Sequence, residues 1–384
     1  MVSTKWIAVG LVAVAAATQV AAAPGEPGQP IAGYNFVEDV SEQARLDLDI
    51  RDIENAKTNY NLGRTIYTKG KHSKAESGGI RTVQSLSTKY LKPGPLRTEP
   101  QAAMSRVFWG DWDYANKHLL AAFSGSNSPK YGLYRTGALA KTGDARTQII
   151  KKIIKFTIIP QYVGHELALS MMSNKEGEFE EASEHWDEAW AFYAGSLEKG
   201  SGNGYSAYIL AEKRAKNFGT MSGSRSSVNR RLLAAMNKGK SQTAKGGQVG
   251  NLLKTSKCIR GLLAVPTIQG CLRYAYKVSD PAVSPASVLS KESAEAWAFC
   301  SATLPLLASV DRAAAARVRS QTFLAGNKRV NWPVVRAAYS AKNLNKMGIS
   351  CNDIGSLNVE YKKANHPVCK DGKLTNSNQG TNFC

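Results

Sequence analysis

The feature that most constrains the fold is the stretch from Glu178 to Tyr193, which reads EFEEASEHWDEAWAFY. At about 100° per residue, an α-helix here places the acidic and imidazole side chains within one arc of roughly 100°. Bulky apolar side chains fall on another side and can pack against neighbouring helices. The stretch therefore predicts an amphipathic helix. Its polar stripe is Glu181, Glu184, His185 and Glu188, and its apolar side is Trp186, Ala189, Trp190 and Tyr193.

The polar stripe has two interpretations. A histidine and carboxylates spaced at i, i+3 and i, i+4 can bind a borderline or hard transition metal such as iron, manganese or zinc. Like charges on one helix stripe repel each other unless water or a cation compensates them. The alternative is a solvated acidic face that contains a histidine by chance.

A weak internal repeat indicates how the chain is built. The pentapeptide EAWAF occurs at Glu188–Phe192 and again at Glu295–Phe299, and residues 160–166 align with residues 266–272 at nearly the same spacing. Each unit predicts a helical hairpin, and two such hairpins would form a four-helix core. Few stretches alternate with period two, so strands are not expected. The predicted fold class is an all-α helical bundle.

The first hairpin can be paired from its turn. A turn centred on about Lys175 brings His165 opposite His185 and Glu166 opposite Glu184 when the two helices run antiparallel. Two histidines and several carboxylates would then converge at one level, which favours a metal site. A buried His165 that is simply hydrogen-bonded is the alternative.

The second hairpin carries Glu292 where the first has His185, and Glu295 where the first has Glu188. If the hairpins face each other, these carboxylates would face the first stripe. Oxygen donors with imidazole favour iron or manganese over copper(I). Only one His-x-x-Glu element is present, so oxygen chemistry of the ferritin type is not predicted. The predicted metal site comprises His165, Glu166, His185, Glu188, Glu292 and Glu295, with Glu181 and Glu184 at its rim.

The N-terminus has the composition of a secretory signal peptide. Lys5 precedes an apolar run from Trp6 to Ala17, and alanines follow at positions 21–23. This pattern predicts a signal peptide over residues 1–23, with a retained N-terminal anchor as the alternative. No second apolar stretch is long enough to span a membrane. We therefore expect a protein of the extracellular or periplasmic space without stable membrane insertion.

Residues 24–345 are expected to form an all-helical domain with hairpins at about 147–200 and 251–310, and residues 346–384 are expected to form a cysteine-containing tail.

The cysteines lie in the second part of the chain. In an exported chain, six cysteines indicate disulfides. A turn centred on about Pro285 brings Cys271 close to Cys300 and predicts a bridge between them. The pairing of the remaining cysteines stays open: Cys258, Cys351, Cys369 and Cys384.

The charge distribution suggests another kind of partner. The formal net charge is +20, and the segment from Lys213 to Arg260 contains twelve Lys or Arg and no acidic residue. In an exported protein such a segment indicates an acidic cell-wall polymer or a solvated surface rather than nucleic acid. The chain lacks the GxSxG, HExxH, P-loop and dinucleotide-binding motifs, so an enzyme is not predicted and remains the third hypothesis.

Several segments resemble the low-iron-inducible periplasmic proteins, the iron-assimilation family of green algae. They are HWDEAWAFYAG from His185, AEKRAKNFGT from Ala211, QYVGHEL from Gln161, WGDWDYA from Trp109 and GISCNDIG from Gly348. The resemblance implies a protein outside the cytoplasm that assists iron uptake by binding Fe²⁺ or Fe³⁺, with a membrane iron transporter or reductase as a further partner. It carries over only His185 and Glu188 as ligands. The competing hypothesis is a basic cell-wall protein that binds acidic polysaccharide.

Overall fold

The structure is a computed structural model that describes residues 22–88, 100–125, 143–281, 291–322, 329–359 and 364–369. These residues are mainly helical, with two short two-stranded sheets, which confirms the all-α prediction. The predicted signal peptide, apart from its last two positions, lies outside the described residues. Within the described ranges, no helix combines the length and apolar composition needed to cross a membrane.

The described residues up to Gly125 contain six helices. The segment before them is tied into the core by Ile31, Tyr34 and Val40, whose side chains are fully buried. The second of these helices packs against the third, and the third packs against the sixth. The helices are α1 Ser41–Ala44, α2 Leu46–Asn55, α3 Tyr60–Lys69, α4 Val83–Thr88, α5 Pro100–Trp109 and α6 Tyr114–Ser124.

The first predicted hairpin consists of α8 and α9, preceded by α7 and a π-helical turn. The π-helical turn ends just before Pro160, whose missing N–H cannot bond to the previous turn. Gly177 ends α8 with a φ of 87°, a left-handed conformation that favours glycine. The bounds are α7 Gly143–Ile153, π-helix Ile154–Ile158, α8 Ile159–Glu176 and α9 Phe179–Ala194.

The second predicted hairpin consists of α12 and α13, and α12 also contacts α8 and α11, so both hairpins share one core. The predicted turn centred on about Pro285 lies outside the described residues. The predicted Cys271–Cys300 disulfide joins the two helices, with a Cα–Cα distance of 4.5 Å. The helices of this region are α10 Tyr208–Phe218, α11 Ser227–Thr243, α12 Val249–Ser279 and α13 Lys291–Val310.

The C-terminal part contains short helices and a small antiparallel sheet. A second disulfide joins Cys351 to Cys369, and Cys258 is also disulfide-bonded, whereas Cys384 lies outside the described residues. The elements are α14 Arg312–Thr322, α15 Trp332–Ala338, α16 Ala341–Lys346, α17 Cys351–Ile354 and the pair β3 Ser356–Val359 and β4 Ala364–Pro367. The other pair, β1 Met221–Ser222 and β2 Arg225–Ser226, precedes α11.

The apolar side of α9 fixes how this helix is rotated in the core. Trp186 and Trp190 are fully buried, and their indole N–H groups donate to the backbone oxygens of Met236 and Ile31, each at 2.9 Å. Large aromatic side chains with a satisfied N–H resist rotation of the helix that carries them. The polar stripe of α9 is therefore held toward α8 and the N-terminal segment.

Candidate metal centre

The polar stripe of α9 meets α8 at one largely buried point. His185 Nδ1 lies 2.9 Å from Glu166 Oε2 and 3.5 Å from Glu188 Oε2. Each of the three residues offers a donor atom, and these atoms all lie within 4.8 Å of one another. Around an ion with bond lengths of about 2.1 Å, adjacent donors are roughly 3 Å apart, so one ion can contact all three. We call Glu166, His185 and Glu188 the metal-compatible triad.

Two neighbours hold the carboxylates of the triad in place. Gln43 Nε2 donates to Glu188 Oε1 at 2.5 Å, and the Tyr162 hydroxyl donates to Glu166. The Glu166 side chain is 1% exposed, and the His185 side chain is 20% exposed. The triad is therefore a preformed set of donors that solvent reaches on the His185 side. Neighbours that orient ligands in this way are a common part of metal sites in proteins.

The electrostatics of the triad favour a positive charge at its centre. Burial lowers the pKa of His185, but hydrogen bonds and charge from Glu166 and Glu188 outweigh burial and raise it to about 10. Burial and the charge of Glu166 raise the pKa of Glu188. Two buried carboxylates this close require a cation or a proton between them. The imidazolium of His185 supplies that positive charge here, and a bound metal ion could replace its proton.

A second group of carboxylates adjoins the triad and shares one of its members. Glu76, Glu184 and Glu188 also offer donor atoms within 4.8 Å of one another. Burial and the charges of Glu188 and Glu76 raise the pKa of Glu184. Glu181 Oε1 lies 3.6 Å from His185 Nε2, and its side chain is 52% exposed. We call Glu76, Glu181 and Glu184 the acidic rim, because they surround the exposed side of the triad.

The position of His165 differs from the prediction. Glu166, and not His165, faces His185, and His165 belongs to neither of the two metal-compatible groups found among the described residues. His165 is 2% exposed, and its ring centre lies 5.2 Å from that of Tyr162. Neighbouring residues on a helix point about 100° apart, so only one of the two can face α9. A shift of half a residue in the centre of the turn between α8 and α9 changes whether His165 or Glu166 faces α9.

The predicted convergence of Glu292 and Glu295 on the triad is not found either. Glu295 is 3% exposed and pairs with Lys152 of α7, whose Nζ lies 3.2 Å from Glu295 Oε1. Glu292 contributes its charge near Lys277 and belongs to neither metal-compatible group of the described residues. The reason is that a buried carboxylate is stabilised by the nearest cation, and α7 supplies one there. The second hairpin does not complete the site.

Three residues at the site were missed from the sequence. Gln43 and Glu76 lie far from the hairpin in sequence, on α1 and in the loop after α3, and no periodicity connects them to it. Tyr162 lies one helical turn before Glu166 on α8, so the i, i+4 spacing could have identified it. Helical spacing therefore locates donors within the hairpin but not the groups that pack onto it from elsewhere.

Comparison with known proteins gives one match. No curated protein and no solved structure matches the chain. The model of the family described as Fea1, low iron-inducible periplasmic protein, matches residues 7–370. This range covers nearly the whole chain and includes every residue of the triad and of the acidic rim. The chain therefore belongs to the low iron-inducible periplasmic protein family.

Proposed function

We propose that this protein binds iron outside the cytoplasm and assists iron assimilation, and that the metal-compatible triad holds the ion. The observation that carries the proposal is the approach of two buried carboxylates to one imidazole within bonding reach of a common ion. Two oxygen donors and one imidazole nitrogen suit Fe²⁺ or Fe³⁺. The family to which the chain belongs is named for induction by low iron, which supports iron over other hard metals.

The residues of the site have separate parts in this proposal. Glu166 and Glu188 each offer one oxygen, and His185 offers a ring nitrogen once it has lost its proton. Gln43 and Tyr162 keep the carboxylates pointed at the ion. The acidic rim attracts cations toward the exposed side of the triad, because carboxylates on a surface raise the local cation concentration. No catalytic step is proposed, and transfer of iron to a membrane transporter or reductase remains a prediction.

The test is iron binding by variants of the triad. The double variant His185→Ala, Glu188→Ala and the single variant Glu166→Gln are titrated with Fe²⁺ under anaerobic conditions by calorimetry. We expect the double variant to lose binding, because two donors are removed, and Glu166→Gln to weaken it by about 100-fold, because a charged carboxylate becomes a neutral amide. Circular dichroism should show unchanged helix content, since the apolar side of α9 is left intact.

Glu295→Gln provides the matched control. Glu295 is a buried carboxylate at the equivalent position of the second hairpin, but it pairs with Lys152 and lies in neither metal-compatible group. This variant should bind iron as the wild type does. If the triad variants bound iron with wild-type affinity, the proposal would be wrong and the polar stripe would be a solvated acidic face. Iron content after purification under native conditions gives an independent measurement on the unmodified protein.

The alternative of binding to acidic cell-wall polymers gains little from the structure. In the basic segment from Lys213 to Arg260, two cations already have partners. Arg231 pairs with Asp353, and Lys240 donates to the backbone oxygen of Asn35. Arg214 is buried. Retention on a polyuronate matrix that falls steeply with salt, in wild type and triad variants alike, would support this second function.

A further inference from the structure

A dense group of cations lies on α7, the π-helix, α10 and α12. None of its members belongs to the metal-compatible triad or to the acidic rim. Its cations act on one another's charge, and three carboxylates, Glu54, Glu292 and Glu295, act on them. We call this group the cationic cluster: Lys151, Lys152, Lys155, Lys213, Arg214, Arg273 and Lys277.

Two of these carboxylates are already engaged by lysines of α7 and the π-helix. Glu54 pairs with Lys155 and lies 3.4 Å from Lys151 Nζ. Glu295 pairs with Lys152 and accepts a hydrogen bond from Tyr274. The cations on the α10 and α12 side of the cluster therefore share Glu54 and Glu295 with the lysines of α7 and the π-helix.

Arg214 is a buried member of the cluster whose hydrogen bonding is incomplete. It is 8% exposed, and its guanidinium donates to the Tyr274 hydroxyl, but its Nε and Nη1 atoms are buried without a hydrogen-bond partner. Burial lowers the pKa of Arg214, and the charge of Arg273 lowers it further. Buried guanidinium N–H groups without a partner are unfavourable unless another group satisfies them. Such a side chain at the base of a cationic group indicates a missing anion.

Three cations of the cluster surround one aromatic ring. The guanidinium carbons of Arg214 and Arg273 lie 5.7 and 5.5 Å from the centre of the Tyr274 ring, and Lys277 Nζ lies 5.5 Å from it. The ring itself stacks on Phe299, with centres 5.5 Å apart. The aromatic face offsets part of the repulsion between the cations and keeps them close together. The cations are thus gathered around one aromatic ring.

We propose that Arg214, Arg273 and Lys277, arranged around Tyr274, bind a phosphate group. A guanidinium presents parallel N–H donors that match two phosphate oxygens, and a phosphate adds negative charge that offsets part of the surrounding positive charge. Arg273 and Lys277 are partly exposed, whereas solvent does not reach Arg214 Nε and Nη1 in this structure, so side chains around Arg214 must shift for the ligand to contact these two atoms. The ligand is inorganic phosphate or the phosphate of a phosphomonoester.

The experiment titrates the full-length protein with inorganic phosphate and, separately, with phenyl phosphate, at an ionic strength held constant with chloride. Wild type should bind with a Kd below about 1 mM by calorimetry. Its Tm should rise by about 2 °C or more when phosphate is far above Kd. Arg214→Gln and Arg273→Gln should each weaken binding by at least about 10-fold. The ligand that binds more tightly shows whether the site is suited to inorganic phosphate or to a phosphomonoester.

Arg317→Gln is the matched control, because Arg317 is an exposed arginine of α14 outside the cluster. It should bind phosphate as the wild type does. The Tm of Arg214→Gln without phosphate should equal or exceed that of the wild type, since a buried charge with two unsatisfied N–H positions is removed. No binding to wild type, or equal affinity in wild type and both cluster variants, would overturn the proposal. Because no residue is shared with the triad, its failure leaves the proposed iron function untouched.

Discussion

His185 lies between two buried carboxylates, and this surrounding decides how it responds to pH. Glu166 and Glu188 overcome the effect of burial and raise its pKa to about 10. Since the ordinary value is 6.5, the stabilisation from the charged imidazolium is fully present below about pH 6.5. It is lost as the pH rises through about 10. The protein without metal should therefore be more stable at neutral than at strongly alkaline pH.

Metal binding should depend on pH in the opposite direction. His185 must release its proton before a ring nitrogen can bind iron, so the apparent Fe²⁺ affinity should rise by about 10-fold per pH unit from pH 6 to pH 8. Anaerobic calorimetry in buffers of different ionisation enthalpy measures both the affinity and the released proton. An affinity that stops rising above pH 7 would indicate an ordinary histidine and contradict this prediction.

At the scale of single residues, the sequence identified the metal donors on α9 but not the residues that contact them. Helical spacing placed His185 and Glu188 on one stripe, and the structure places them within 3.5 Å of each other. Which residue of α8 faces His185 depends on the centre of the turn between α8 and α9. An error of half a residue in that centre made His165 the predicted partner instead of Glu166. Gln43 comes from a different helix, and only the packed fold brings it to Glu188. Local periodicity contains no information about such distant neighbours.

Among the helices, α9 and α11 meet at a contact that only glycine permits. A Cβ at Gly239 would lie 1.8 Å from the Trp186 ring, which is fully buried and hydrogen-bonded to Met236. Gly239→Ala should therefore lower the free energy of unfolding by about 1–3 kcal/mol, despite the better helix propensity of alanine. Urea unfolding followed by circular dichroism measures this change.

Gly164→Ala on α8 is the comparison for this substitution. A Cβ there would lie 1.6 Å from Gln101 Oε1, the far end of a flexible side chain whose oxygen has no hydrogen-bond partner. Gln101 can rotate away at little cost, so the substitution should leave the stability unchanged or raise it by up to about 1 kcal/mol. A loss as large as that of Gly239→Ala would show that Gln101 is fixed.

The hairpins themselves were predictable because their signals are local. The EAWAF repeat lies on α9 and α13, the second helix of each hairpin, and the predicted bridge between α12 and α13 is confirmed. The surroundings of each copy were not predictable. Lys152 reaches Glu295 because α7, which the π-helical turn joins to α8, lies against the second hairpin. No short motif specifies this path of the chain.

Across the whole molecule, the Cys271–Cys300 disulfide links helices of the second hairpin only. The variant Cys271→Ser, Cys300→Ser should lower the free energy of unfolding by about 2–4 kcal/mol, because the unfolded chain gains freedom. Iron binding should persist at wild-type affinity, since the triad lies on α8 and α9. Chemical unfolding and anaerobic titration of the same preparation check both parts. Loss of iron affinity in a folded variant would contradict the separation of the two regions.

The pair between Lys152 and Glu295 has a consequence for how the two halves of the repeat differ. In the second hairpin, the partner of the repeated glutamate is an ammonium, which carries only N–H donors and offers no lone pair to a metal ion while it stays protonated. In the first hairpin, the partner of the equivalent Glu188 is the imidazolium of His185, whose ring nitrogen becomes a metal donor once its proton is lost. The glutamate of the second copy is thus held in a buried ion pair. The glutamate of the first copy faces a group whose proton a metal ion can replace, as the proposed iron binding requires.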